Sequence, residues 1–168
     1  MSFIIKLNLL LLIQVCSVIF AQYQASTCIG GDKFALMNDK VTWNDASDIC
    51  LQSSGQLAVL NTEEISNELV AFINDNSLSE LNSRGFWIGL HDRHLEDSFE
   101  WVDGSAVTFT NWYGNMPDNA RKKDQCHGQD CVQLWKKPPT TPLWQWDDDY
   151  CFKRKLFFCQ YKNTPECV

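Results

Sequence analysis

Three carboxylates stand in a row at Asp147–Asp149, within the stretch QWDDDYC at residues 145–151. Adjacent like charges repel and raise one another's pKa, so the run needs either solvent or a cation beside it. The flanking tryptophan and cysteine are residue types that favour a core. Calcium takes about six to eight oxygen ligands, largely carboxylates and carbonyls. The run therefore predicts either a water-facing strand end or a cation site.

Two other groups could also hold a metal: His91-Asp92-Arg93-His94 with Glu96, and Cys126-His127 near Cys131. In a secreted chain the cysteines are expected to be oxidised, whereas zinc binding needs thiolates. Single histidines in loops are generally solvated. No nucleophile, base and orienting group occur at a spacing that supports catalysis. We therefore predict that the protein is not an enzyme.

The N-terminal segment indicates export. The chain has 168 residues, enough for one domain, and residues 1–21 carry an early Lys6, an apolar run and the small Ala21. This pattern is typical of a cleaved signal peptide. The alternative is a membrane anchor, but Asn8 and Gln14 interrupt the run, and a span needs about 20 mostly apolar residues. We expect a secreted, extracellular protein with no membrane span.

Charge and cysteine content agree with that expectation. The formal net charge of −7 argues against nucleic-acid binding, which needs a basic surface. Of eight cysteines, Cys16 leaves with the signal peptide and seven remain. In an oxidising compartment these should pair. Because seven is odd, one cysteine is free or joins another chain.

Two helices followed by short strands predict an α+β fold. The first helix begins at the N-cap Thr42, and the second at the N-cap Asn61, with Glu64 completing a capping box. Short aromatic and β-branched runs after residue 82 predict strands separated by long irregular pieces. The predicted domain covers 34–162, after a lead-in at 22–33 and before a tail at 163–168.

Several motifs, in their order and spacing, resemble a C-type lectin domain, most closely that of secreted invertebrate members. They are Trp43-Asn44-Asp45-Ala46 with Cys50, WIGL at 87–90, NW at 111–112, MPDN at 116–119, DCV at 130–132, WDD at 146–148, Cys151, and FFC at 157–159. The resemblance covers about residues 28–162. It implies two helices, two small antiparallel sheets and a long irregular loop region. It also implies that the WIGL motif packs in the core.

The resemblance also implies the disulfides. The family pairs its outer cysteines, here Cys50–Cys159, and its inner ones, here Cys131–Cys151. The termini lie together in this fold, which favours Cys28–Cys167. Cys126 is then left in the long loop, as a capped thiol or as an interchain disulfide of a dimer.

In this family a sugar-binding calcium is held by Glu-Pro-Asn or Gln-Pro-Asp, an acid before the third cysteine, and Trp-Asn-Asp. The resemblance therefore implies the ligands Asp118, Gln129, Asp147 and Asp148, which would also contact the sugar. Met116 puts a thioether where an oxygen ligand is expected, which calcium does not favour. We expect calcium to bind more weakly than at an intact site. Asp149 is expected to be a solvated bystander.

An accessory calcium site is implied at a second group of residues: Asp92, Glu96, Asn119 and Asp130, with Gln129 beside them. The alternative is that Asp92 and Glu96 are ordinary turn residues. Two of the positions carry amides where the family prefers acids, and occupancy is open.

The resemblance implies a secreted, calcium-assisted carbohydrate-binding protein that recognises or agglutinates microbial or cell surfaces in innate immunity. Asp118 is similar to the galactose-type pattern, but an aromatic platform is missing unless Trp135 or Trp144 supplies it. The competing hypothesis is a calcium-weak or calcium-independent domain that binds a protein partner, such as a second lectin chain joined through Cys126.

A basic patch stands out in the long loop of this acidic chain. It consists of Arg121, Lys122 and Lys123. The patch is either part of a solvated loop or a contact for anionic glycans.

Overall fold

A computed structural model describes residues 23–81, 85–120, 128–136 and 144–168. The predicted signal peptide lies outside these ranges, and so does Cys126. The basic patch of Arg121, Lys122 and Lys123 also lies outside the described residues, so its contact with anionic glycans stays a prediction. Within the described ranges, no helix combines the length and the apolar character needed to cross a bilayer.

Two α-helices lie in the described part of the chain. Helix α1, Trp43–Gln52, begins at the predicted N-cap Thr42, whose Oγ1 accepts the N–H of Asp45 at 3.2 Å. Helix α2, Glu63–Asp75, begins at Thr62, whose hydroxyl accepts the N–H of Ile65. The predicted cap at Asn61 is therefore wrong by one residue. Glu64 becomes the second helical residue, so it is not at the position that completes a capping box.

The described strands form one mixed sheet. In chain order they are β1 Tyr23–Ile29, β2 Asp32–Met37, β3 Gln56–Leu57, β4 Phe86–His91, β5 Glu100–Trp101, β6 Cys131–Trp135, β7 Gln145–Asp149 and β8 Leu156–Tyr161. The sheet order is β1-β2-β8-β4-β6-β7, with β3 on β8 and β5 on β4. The α+β class is confirmed. The two antiparallel halves are joined because β4 and β8 pair in parallel.

The expected lead-in and tail are tied together. Residues 23–29 form β1, which turns through Gly30 and Gly31, both at positive φ, into β2. Glycine adopts this backbone without steric cost, as a two-residue hairpin requires. Near the other terminus, Glu166 forms an ion pair with Lys33 at 2.6 Å. Residues 23–33 and the C-terminal segment 163–168 are therefore parts of the folded unit.

Three disulfides connect the described elements. They are Cys28–Cys167, Cys50–Cys159 and Cys131–Cys151, the same pairs that the resemblance implied. The first joins the chain ends, and the second fastens α1 to β8. The third joins Cys131, at the start of β6, to Cys151, two residues after the end of β7. It therefore fastens the strand that carries the acidic run to its neighbour.

Trp146 fixes the position of the acidic run. Its ring is fully buried and meets Trp101, Phe109 and Trp112 edge-on at 5.5–5.7 Å. Such aromatic contacts stabilise the fold beyond the burial of apolar area, so they favour one register of β7 at Trp146. The expectation for the WIGL motif is also met, because Trp87, Ile88 and Leu90 are buried. The aspartates that follow Trp146 are therefore held at defined positions on β7.

Candidate functional site

Asp148 fastens the loop 116–120 to strand β7. Its side chain is 1% exposed, with Oδ1 accepting the N–H of Asp118 at 3.1 Å and Oδ2 accepting the N–H of Asn119 at 2.7 Å. The Tyr150 hydroxyl donates to the Ala120 carbonyl at 2.6 Å. The Met116–Pro117 peptide bond within this loop is cis. The loop thus presents an exposed Asp118 beside the strand.

Gln129 lies between the loop and the strand. Its backbone N–H donates to Asn119 Oδ1 at 2.8 Å, and its Nε2 donates to the Asp148 carbonyl at 2.9 Å. Its Oε1 is buried and accepts no hydrogen bond from the described residues. Such an acceptor is costly to leave unpaired, by about 1–3 kcal/mol. A ligand hydroxyl or a cation would satisfy it.

Asp147 does not join Asp118 and Asp148. It lies opposite Gln133 in the β6–β7 register, and Gln133 Nε2 donates to its Oδ2 at 2.6 Å. Burial, with Asp148 and Asp149 nearby, raises the pKa of Asp147 to about 6 despite that hydrogen bond. Only one trio of described acidic or histidine side chains brings its ligand atoms within 4.8 Å of one another, and it contains none of these aspartates. The predicted convergence on one ion is not present in this arrangement.

Asp149 is not a solvated bystander, as the sequence had suggested. It is 3% exposed, forms an ion pair with Lys153, and contacts Lys155 Nζ at 2.7 Å through its Oδ2. Lys155 is itself 3% exposed and lies 4.9 Å over the Trp87 ring. Burial pushes the pKa of Asp149 up, but Lys155 and Lys153 outweigh it and lower the pKa overall. The cations beside the acidic run are therefore two lysines of the same chain.

A cavity of about 330 Å³ opens beside this cluster. Its lining combines carboxylates, amides, ammonium groups and one indole: Gln129, Gln133, Trp135, Asp147, Asp149, Lys153 and Lys155. Trp135 is half-buried, so its ring can meet a ligand. Trp144, the other candidate platform, is 3% exposed and donates to Asn74, which makes it a core residue. Polar groups around a partly exposed indole suit a ligand with both hydroxyls and an apolar face.

A second acidic group lies after β4. Asp92 is 4% exposed, its Oδ2 accepts the N–H of Asp97 at 3.0 Å, and its backbone N–H donates to the Asp130 carbonyl at 3.1 Å. Its Oδ1 is buried with no hydrogen-bond partner among the described residues. Burial and the nearby carboxylates of Glu96 and Asp130 raise the pKa of Asp92 to about 6.

This second group fits calcium in its chemistry. Glu96 and Asp130 act electrostatically on Asp92, and one buried Asp92 oxygen lacks a donor, as expected where a hard cation belongs. Asn119 is engaged elsewhere, because its Oδ1 accepts the N–H of Gln129. The structure therefore places Glu96 and Asp130 near Asp92, but ligand atoms of the three carboxylates do not all come within 4.8 Å of one another.

The first group fits calcium only in part. Asp118 and Gln129 each hydrogen-bond to Asp148, but Met116 supplies no oxygen, and Asp147 is held by Gln133.

Residues 39–161 match the family described as Lectin C-type domain. The chain belongs to the C-type lectin family. It is 28% identical to salivary C-type lectin 2 of Aedes albopictus, over 81% of this chain and 87% of that protein. It is also similar in structure to human lithostathine, with a TM-score of 0.69, 25% identity and coverage of 83% of this chain and 98% of that one. The carbohydrate-recognition domain of the mouse scavenger receptor C-type lectin has the same fold, with a TM-score of 0.69, 24% identity and coverage of 83% and 96%.

This family and fold are those of non-enzymatic carbohydrate-binding proteins, and the similarity to a mosquito lectin agrees with the invertebrate resemblance.

Sequence reasoning named Trp135 as a possible platform but missed three other residues that line this cavity. Gln133 lies on β6, and Lys153 and Lys155 lie just before β8. A glutamine within the apolar run CVQLW was a usable signal, because its register partner on β7 is one of the three aspartates. The lysines lie four and six residues after Asp149, close enough for a reversal of the chain to bring their ammonium groups to the Asp149 carboxylate.

Proposed function

We propose that this lectin is a secreted, extracellular protein that binds carbohydrate at the loop 116–120, the end of β7 and the adjoining cavity, with assistance from calcium. The observation that carries the proposal is the Asp148 clamp, which holds Asp118 exposed beside Gln129. Sugar recognition needs acceptors and donors in fixed positions together with an apolar surface. The cavity supplies these through Asp147, Lys153 and Trp135. Glycans on microbial or cell surfaces, of galactose type or anionic, are the proposed ligands.

The chain's own residues would orient the sugar. The exposed Asp118 and the unpaired Oε1 of Gln129 accept hydroxyl protons, while Lys153 donates at the cavity. Calcium, when bound near Asp118, Asp148 and Gln129, supplies a positive charge that attracts hydroxyl oxygens. Asp147 would join this set only after leaving Gln133, so we propose weak calcium binding at this group. We propose stronger, stabilising binding at Asp92, Glu96 and Asp130.

Replacing Asp118 with asparagine should lower glycan affinity at least tenfold while leaving the melting temperature unchanged. The residue is exposed, and an amide oxygen can still accept the N–H of Ala120 that Asp118 Oδ1 accepts at 3.1 Å. Binding is measured on a glycan array in calcium and again in chelator. Asp48→Asn, an exposed aspartate on α1, is the matched control and should bind as the wild type does. Equal signals for wild type and Asp118→Asn would refute this sugar surface.

Calcium should raise the melting temperature through the second acidic group. At ten times the dissociation constant it contributes about 1.4 kcal/mol, which corresponds to a rise of about 3–5 °C for a domain of this size. Asp92→Asn should abolish the rise, because it removes the carboxylate whose Oδ1 is unpaired. Asp97→Asn is the control from the same turn. It should keep the calcium-dependent rise, because Asp97 contacts the Asp92 carboxylate through its backbone N–H, which the substitution retains. The measurement is differential scanning calorimetry with and without calcium, and an undiminished rise in Asp92→Asn would contradict the assignment.

A second candidate function is calcium-independent binding of a protein partner. One observation favours it: Asp147, Asp148 and Asp149 each have partners within the chain and need no ion. Pull-down of a protein that survives chelator, together with a blank glycan array, would support this alternative over the first.

A further inference from the structure

Outside the proposed sugar surface, three potential metal ligands meet at the β4–β5 pair. They are His91, His94 and Glu100, whose ligand atoms lie within 4.8 Å of one another. His91 and Glu100 face each other in the β4–β5 register, with His91 Nδ1 3.9 Å from Glu100 Oε1. His94 Nδ1 lies 2.5 Å from the same oxygen. Two of the ligands are thus placed by the sheet, and the third comes from the turn that follows β4.

His91 has an unsatisfied nitrogen directed into this group. The residue is 5% exposed, and its Nδ1 is buried with no hydrogen-bond partner among the described residues. The ring packs edge-on against Trp43 at 5.0 Å, which fixes its orientation. A buried polar atom with no partner in a native structure calls for an explanation.

We propose that His91, His94 and Glu100 bind a divalent transition metal, with zinc as the best match. Imidazole and carboxylate are preferred zinc ligands, whereas calcium favours oxygen alone. Four donors about 2.0–2.1 Å from zinc lie about 3.3 Å apart in a tetrahedron. The two distances to Glu100 Oε1, 3.9 and 2.5 Å, lie on either side of that value. His94 is 76% exposed on a turn, so it can move the short distance required, and water completes the coordination.

The charges around the group allow a cation. The Glu100 carboxylate lies 3.9 Å from His91 Nδ1, whereas the Arg93 guanidinium lies 5.0 Å over the Trp43 ring. The acidic group at Asp92 begins at the next residue along the chain. Zinc here would brace the turn that carries those carboxylates, so the two metal sites would share one loop.

Titration calorimetry of the full chain with zinc chloride, in a buffer that does not bind metal, tests the site. We expect one zinc per chain, with affinity reduced at least tenfold in His94→Ala and in Glu100→Gln. Glu68→Gln, an exposed glutamate on α2, is the control and should bind as the wild type does. No heat with the wild type, or undiminished affinity in either variant, would overturn the proposal.

Two further measurements keep this test specific. Because His94 is largely exposed, His94→Ala should retain the wild-type circular dichroism spectrum and melting temperature without metal, so lost binding is not lost folding. Zinc should also shift the imidazole nitrogen resonances of His91, and millimolar calcium should not displace it. Displacement by calcium, or unmoved His91 resonances, would place the metal elsewhere and refute the site.

Discussion

Replacing Asp149 with asparagine should lower the free energy of unfolding by about 3 kcal/mol, because it leaves the buried Lys155 ammonium without its closest counter-charge. Both residues are 3% exposed, and Oδ2 of the aspartate lies 2.7 Å from Nζ of the lysine. Burial already lowers the pKa of Lys155, and Asp149 is the main group opposing that effect. Asp147 also favours the ammonium, but less strongly than Asp149 does.

A double-mutant cycle isolates the pair. Lys155→Met should cost less than Asp149→Asn, because Lys153 still pairs with Asp149. The combined variant should recover much of the loss, since replacing both members of a buried ion pair is often close to neutral. Urea denaturation of the four proteins gives the coupling free energy. Additive losses would mean that the pair is not coupled and that the cavity wall is held by other contacts.

The two lysines beside Asp149 help to explain how three adjacent carboxylates can lie next to the core. Like charges can lie side by side if each has its own partner, and here the partners are backbone N–H groups for Asp148, an amide for Asp147 and ammonium groups for Asp149. A cation in the run was predictable from the sequence. Its identity was not, because the alternation of β7 sends neighbouring aspartates to different surroundings.

Local signals in the sequence predicted the helices and strands well. Thr42 was recognised as a cap because a hydroxyl three residues before an acid is a short-range pattern. The core position of WIGL was implied by the family resemblance, and the structure has these residues buried. The N-cap of α2 was misassigned because Asn61 and Thr62 are both favourable N-cap residues. In the structure the helix starts one residue later, so that the Thr62 hydroxyl accepts the N–H of Ile65. The parallel β4–β8 pairing was missed because it joins strands about 70 residues apart.

The sequence grouped Asp118, Gln129, Asp147 and Asp148 as one ligand set, but it did not predict how these residues contact one another. Asp118 and Asp148 meet as expected, yet they meet through backbone N–H groups. Asp147 turns to Gln133 because cross-strand register, set by the buried Trp146, places the two side chains opposite each other. Register depends on long-range packing that motif spacing does not contain.

Replacing Asp148 with asparagine should therefore weaken both the fold and sugar binding. The amide keeps one acceptor but directs an NH₂ group at the N–H of either Asp118 or Asn119, so one buried donor loses its partner. We expect a loss of about 1–3 kcal/mol of unfolding free energy. Glycan affinity should fall at least tenfold, because the loop that carries Asp118 is released from β7.

Comparison with Asp118→Asn separates positioning from direct contact. Both variants should bind glycan poorly, but only Asp148→Asn should lower the melting temperature and speed hydrogen exchange at the backbone amides of Asp118 and Asn119. Exchange is the decisive measurement, because a residue that only touched the sugar would leave these amides protected. If Asp148→Asn keeps wild-type exchange and stability yet loses glycan binding, Asp148 is a ligand-contacting residue and not the clamp inferred from the two hydrogen bonds.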